Sequence, residues 1–140
     1  MKKLGIKANM MRFVAVAAVF ALAACAAGPH QPESPGERAQ ARWDALLSGD
    51  YATAYAYLSP GTRSAVTEME YAVAFKMRRV HYDSARFLDQ ECEGETCTVR
   101  MNMGYTLTGV LRGVPNFKGK AVVSEKWVRI DGKWWFLPKN

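Results

Sequence analysis

The sequence predicts one α+β domain, with helices first and an antiparallel sheet of about four strands after them. Three observations carry this. Apolar residues recur at helical spacing from residue 34 to about residue 78. They alternate with period two from about residue 80 onward. Near the end, Asp131-Gly132 is a pair of the kind that closes a two-residue hairpin.

Each helix has its own start and stop. Ser34-Pro35-Gly36-Glu37 sets a capping serine three residues ahead of a glutamate, with proline at the first helical position. Ala39, Trp43, Leu46 and Leu47 then form an apolar stripe until Gly49 ends the helix. Asp50 caps a second, short helix with Tyr51, Tyr55 and Leu58 on one face, which Ser59-Pro60-Gly61 is expected to break. Thr67 and Glu70 form another capping box, starting a third helix through about Arg78 with Tyr71, Ala74 and Phe75 as its stripe.

The strands follow by alternation. One runs from about Val80 to Asp89 and reaches the next through a loop holding Cys92, Gly94 and Cys97. In the second strand Val99, Met101, Met103, Tyr105 and Leu107 take one face, with Arg100, Asn102, Thr106 and other polar residues on the opposite face. A third strand extends from about Phe117 to Ile130 and turns through Asp131-Gly132 into Lys133 to Leu137.

The pattern Trp43-x-x-Leu46-Leu47-x-Gly49-Asp50-Tyr51-x-x-Ala54-Tyr55-x-x-Leu58-Ser59-Pro60, a later helix, and a last strand entered through Asp131-Gly132-Lys133-Trp134-Trp135 resemble the nuclear transport factor two-like (cystatin-like) superfamily. The resemblance spans about residues 34 to 138. It implies a curved sheet wrapped around the first helix, forming a cone whose open end holds a ligand, a catalytic site or merely a core.

The first residues carry a different message. Lys2, Lys3, Lys7 and Arg12 form a basic head before an apolar run from Phe13 to Ala24. A run this short falls below the roughly 20 residues needed to cross a membrane core, and it matches the apolar region of a signal peptide. It ends in Leu22-Ala23-Ala24-Cys25, which resembles the lipobox of bacterial lipoproteins: an aliphatic residue, two small residues, and the cysteine that accepts the lipid. An ordinary signal cut after Ala21-Leu22-Ala23 is the alternative. The lipobox reading divides the chain into a signal at 1–24, a lipidated Gly- and Pro-containing tether at 25–33, and a domain at 34–140. It expects a membrane anchored through lipid on Cys25. With Ala26 rather than aspartate after the cysteine, resemblance to sorted lipoproteins implies the outer membrane, facing the periplasm.

Processing would take away four basic side chains and no acidic one, bringing the formal charge from +6 to +2. A nearly balanced domain gives no electrostatic case for nucleic-acid binding, which needs basic residues gathered on one face. With Cys25 assigned to lipid, Cys92 and Cys97 are left as an even pair in an oxidising compartment, and a disulfide pinning the hairpin is expected. A metal site would need two more soft ligands; His30 and His81 are remote in sequence, so neither metal nor cofactor is expected.

No catalytic constellation stands out. His81 and Asp83 are the candidates for acid-base chemistry of a ketosteroid-isomerase-like or polyketide-cyclase-like kind, in which a carboxylate moves a proton. Adjacent strand residues point to opposite faces, so His81 and Asp83 share a side that Tyr82 does not, and an ordinary surface or rim pair is the preferred reading of them. No Asp, Glu or His lies between Thr96 and Ser124, so the middle of the sheet supplies no partner acid. Met101, Met103 and Tyr105, facing Trp43, can line an apolar pocket or fill a core. Arg112, Lys118 and Lys120 flank a Gly113-Val114-Pro115-Asn116 loop, and Arg78 and Arg79 suit a helix C-terminus. One of Trp134 and Trp135 must face away from the core, and an exposed one would mark a partner surface.

The expectation is a non-catalytic binding or accessory lipoprotein that holds an apolar small molecule or another envelope protein through its cone or aromatic edge. A small acid-base enzyme is the alternative. A deep cavity with a buried carboxylate favours the enzyme, and a filled cone favours the accessory role.

Overall fold

The computed structural model describes residues 34–111 and 113–139, all within one compact unit. The signal, tether and Cys25 readings, and Arg112, lie outside the described residues. Four helices, α1 (Pro35–Ser48), α2 (Tyr51–Tyr55), α3 (Pro60–Ala65) and α4 (Glu68–Lys76), precede four strands, β1 (Val80–Glu93), β2 (Thr96–Leu111), β3 (Val114–Ile130) and β4 (Lys133–Leu137). The strands form an antiparallel meander in the order β1-β2-β3-β4. This is the α+β arrangement that the sequence predicts.

The caps act where the sequence places them. The Ser34 hydroxyl accepts from the Glu37 backbone N–H while the Glu37 carboxylate accepts from the Ser34 N–H, and Thr67 and Glu70 repeat the arrangement at α4. Gly49 closes α1 in the left-handed conformation, φ 81°. Gly36 sits where a Cβ would fall 2.4 Å from the Phe87 ring, so the start of α1 approaches β1 as closely as it does because the side chain is missing.

Two helix expectations need correction. Ser59-Pro60-Gly61 not only ends a helix but begins another: Ser59 accepts from the Thr62 N–H and Pro60 takes the first position of α3, the arrangement that favours a helix start. The domain therefore has four helices rather than three. Leu58 does not share a helical face with Tyr51 and Tyr55, because α2 stops at Tyr55 and Leu58 bridges to Phe136 instead. The Ser59 N–H donates to the Phe136 carbonyl and the Phe136 N–H to the Tyr57 carbonyl, so this segment satisfies the outer edge of β4.

β1 continues four residues past its expected end. Glu93 pairs with Thr96 across a Gly94-Glu95 turn whose first residue has φ 57°, as a type II′ hairpin requires. Cys92 and Cys97 are opposed at Cα–Cα 4.0 Å and joined by a disulfide. Asp131 and Gly132, at φ 52° and 75°, are both left-handed, which is the signature of a type I′ turn. Bulges interrupt β1 at Asp83 and Leu88 and bend it.

The core lies between α1 and the inward faces of β2 and β3. Ala39, Cys97, Val99, Met101, Met103 and Trp127 are fully buried there, with Trp43 and Leu46 nearly so. Inward burial at 97, 99, 101 and 103 against outward exposure at 98, 100 and 102 is the alternation read in the sequence.

Candidate functional site

β3 carries an acid on its apolar phase. Positions 123, 125 and 127 face inward as valine, glutamate and tryptophan, and Glu125 is almost completely buried. A buried carboxylate costs several kcal/mol unless it is paired and hydrogen-bonded, and this one is both. Arg42 of α1 donates to its Oε1 as an equally buried ion pair, Trp43 Nε1 donates to Oε1 at 2.7 Å, and Trp127 Nε1 donates to Oε2 at 3.2 Å. Arg42 also donates to the Tyr71 hydroxyl at 3.0 Å, and its guanidinium stacks 3.9 Å from the centre of the Phe136 ring. One cluster thereby ties α1, α4, β3 and β4 together. Among the described residues the Arg42 Nε finds no acceptor.

A cavity of about 340 Å³ opens beside this cluster, at the low end of the volumes that small-molecule sites occupy. α1 contributes Arg42, Trp43 and Leu46, and α4 contributes Tyr71, Ala74 and Phe75. The sheet supplies Tyr82, Val123 and Phe136. Trp43, Phe75 and Tyr82 meet edge-on or stacked, with ring centres 5.0 to 6.5 Å apart, so the wall on this side is aromatic. Arg78, Lys126 and Lys139 border the cavity and are exposed to solvent.

Of the residues read in the sequence as possible pocket, Trp43 lines this cavity. Met101 and Met103 do not: both are fully buried in the core, on the same sheet face. Tyr105 lies over Gly119 of β3, where a Cβ would come within 2.6 Å of its ring. The aromatic ring covers the strand there rather than facing a void.

His81 and Asp83 are both exposed and neither borders the cavity. Asp83 sits in the β1 bulge and accepts from the Thr106 hydroxyl at 2.7 Å. Among the described residues no group of three or more His, Cys, Asp or Glu side chains gathers to hold a metal. Trp135 is the outward member of the tryptophan pair and is half-buried, with Arg38, Arg63 and Lys133 within 4.9 to 5.5 Å of its ring. Burial pushes the pKa of the Arg38 guanidinium down from its ordinary value.

Sequence reading missed Arg42 and Glu125. The signals were present: Arg42 falls three residues after Ala39 and four before Leu46, inside the apolar stripe, and Glu125 shares the strand phase of Trp127. An ionisable residue on a core-facing phase is a candidate for a paired, buried role.

No family model matches the sequence, and no curated protein matches it. Solved structures do match in shape. A protein containing a SEC-C motif, from Rhodopseudomonas palustris, is 15% identical with a TM-score of 0.57, over 74% of this chain and 75% of that one. A protein from Streptomyces avermitilis described as a dehydratase of the NTF2-like family is 13% identical with a TM-score of 0.50, over 72% and 88%. The fold is NTF2-like. A third match, described as a calcium/calmodulin-dependent protein kinase type II association domain from Thiobacillus denitrificans, is 10% identical with a TM-score of 0.51, over 78% and 93%. At such identities the likeness is one of fold, and an NTF2-like frame carries many functions.

Proposed function

We propose that this chain is a lipid-anchored accessory protein of the bacterial envelope, held through Cys25 on the periplasmic side of the outer membrane, whose NTF2-like domain binds a small apolar molecule between α1, α4 and the sheet. The observation that carries the binding reading is the open cavity walled by Trp43, Leu46, Phe75, Tyr82 and Phe136. Apolar walls with a few fixed polar groups are what a small-molecule site requires. The lipobox residues support the anchor, and the Cys92–Cys97 disulfide suits an oxidising compartment. Cations over the Trp135 ring leave the aromatic edge less suited to a protein partner than the cavity is to a ligand.

Two measurements test this. Cys25→Ser should release unlipidated protein or accumulate precursor, and an unchanged membrane-bound mature form would refute the anchor. A neutral fluorescent naphthylamine should bind the soluble domain, and Ala74→Trp, which fills the cavity from an exposed helix position, should abolish that binding with little change in Tm. Equal binding by both proteins would mean that the probe sits elsewhere.

The acid-base enzyme remains as a second reading because Glu125 is a buried carboxylate beside this cavity, and because one fold neighbour is described as a dehydratase. The geometry weighs against it: three fixed donors already hold the Glu125 carboxylate, leaving one lone-pair site on Oε2 for a substrate proton. The enzyme reading expects deuterium exchange next to the carbonyl of a small apolar ketone, lost in Glu125→Gln. No exchange with the wild-type protein leaves Glu125 a structural group.

A further inference from the structure

The wall and the mouth of the cavity differ in charge. Inside, Glu125 is matched by Arg42, and among the described residues no other Asp or Glu borders the space. At the mouth stand Arg78 just after α4 and Lys139 beyond β4, both exposed. Among the described residues neither of these two has a carboxylate within ion-pair distance. The opening therefore carries, among the described residues, positive charge with no partner acid, above a neutral, largely aromatic interior. A strongly polarised opening of this kind selects a ligand by its head group.

Resting on the binding reading above, we propose that the ligand is a single-chain amphiphile with one anionic head group, a carboxylate or a phosphate. Its apolar chain lies among Leu46, Phe75, Tyr82 and Phe136, and its head stays at the mouth with Arg78 and Lys139. This division keeps the head hydrated, which a seat against the buried Glu125 would not. The volume, about 340 Å³, suits one chain rather than two.

The test compares ten-carbon probes on the soluble domain: decanoic acid, decyl phosphate, decanol and decylamine, each below its micelle concentration, by displacement of the neutral naphthylamine. At low ionic strength both anions should bind roughly three- to tenfold tighter than decanol, and the amine more weakly, with the preference shrinking as salt is raised. Decanoate against decyl phosphate distinguishes a fatty-acid source from a phosphorylated one. The variant Arg78→Gln/Lys139→Gln should lose the preference yet bind the neutral probe as before. Equal binding of anion and alcohol by the wild-type protein would overturn the head-group proposal while sparing the binding reading. Binding of none of the probes, the naphthylamine included, would overturn both.

Discussion

Helices α1 and α4 start in the same way and end in different circumstances. Each opens with a reciprocal capping box, Ser34 with Glu37 and Thr67 with Glu70. Yet α1 buries Ala39, Arg42, Trp43 and Leu46 among others, and α4 buries no residue at all. The inner face of α4 is half-covered by Tyr71 and Phe75, and its outer face leaves Met69, Val73 and Met77 exposed at four-residue intervals. Capping decides where a helix begins; burial decides how firmly it is held. The difference also explains why the cavity lies beneath α4. A helix whose inner side chains are only half-buried leaves room between itself and the sheet, whereas α1 buries most of its inner face.

The largest effect should come from the link between the two regions. Glu125→Ala leaves the Arg42 guanidinium buried without its counter-charge and two indole N–H groups without acceptors, and should cost about 3–5 kcal/mol in urea unfolding. A loss below about 1 kcal/mol would show that the pair does not hold α1 to β3. Next, Met103→Ala empties the filled part of the core and should cost about 2–5 kcal/mol, whereas Met77→Ser on the outer face of α4 should stay within about 0.5 kcal/mol. Similar costs at the two positions would dissolve the contrast between the regions.

Replacing the disulfide as Cys92→Ser/Cys97→Ala should cost about 2 kcal/mol by the chain-entropy argument for so short a loop, without unfolding the domain. Free-thiol titration of unfolded, unreduced protein checks the bond itself, since two reactive thiols would refute it. The smallest effect concerns acid. Hydrogen bonds from the Thr67 backbone and side chain hold the Glu70 carboxyl below its ordinary pKa, and Thr53 does the same for Asp50. Such groups stabilise the fold above their unfolded pKa, and the contribution is lost as pH falls through the lower folded value. Melting from neutral pH toward pH 2 should therefore show the caps of α2 and α4 weakening in acid. In Glu70→Gln, which keeps a capping acceptor but cannot titrate, the α4 part of that dependence should vanish.

Legibility followed the range of the interaction. The Asp131-Gly132 turn, the Gly94 turn and both capping boxes depend on residues a few positions apart, and the sequence predicts each of them. The Ser59-Pro60 start of α3 is equally local, but the same residues serve both ends of a helix and so read as a stop. The extra length of β1 and the bulge at Asp83 depend on what β2 offers as a partner, and periodicity does not report that.

What the sequence by itself determined is the order of elements, the phase of each strand and the facing of Cys92 with Cys97, because propensity, capping and period two act along the chain. What tertiary structure alone decided is the site. Arg42 and Glu125 are separated by 83 residues, and nothing local distinguishes a glutamate on an inward strand phase that will be paired from one that will leave the fold unstable. Met101, Met103 and Trp43 look alike as apolar residues on inward faces, but α1 seals the first two while the lightly held α4 leaves a space beside the third. Which inward residues meet a neighbour and which meet a void depends on the height of each helix above a bent sheet, and that height is set by the packing of all the elements together.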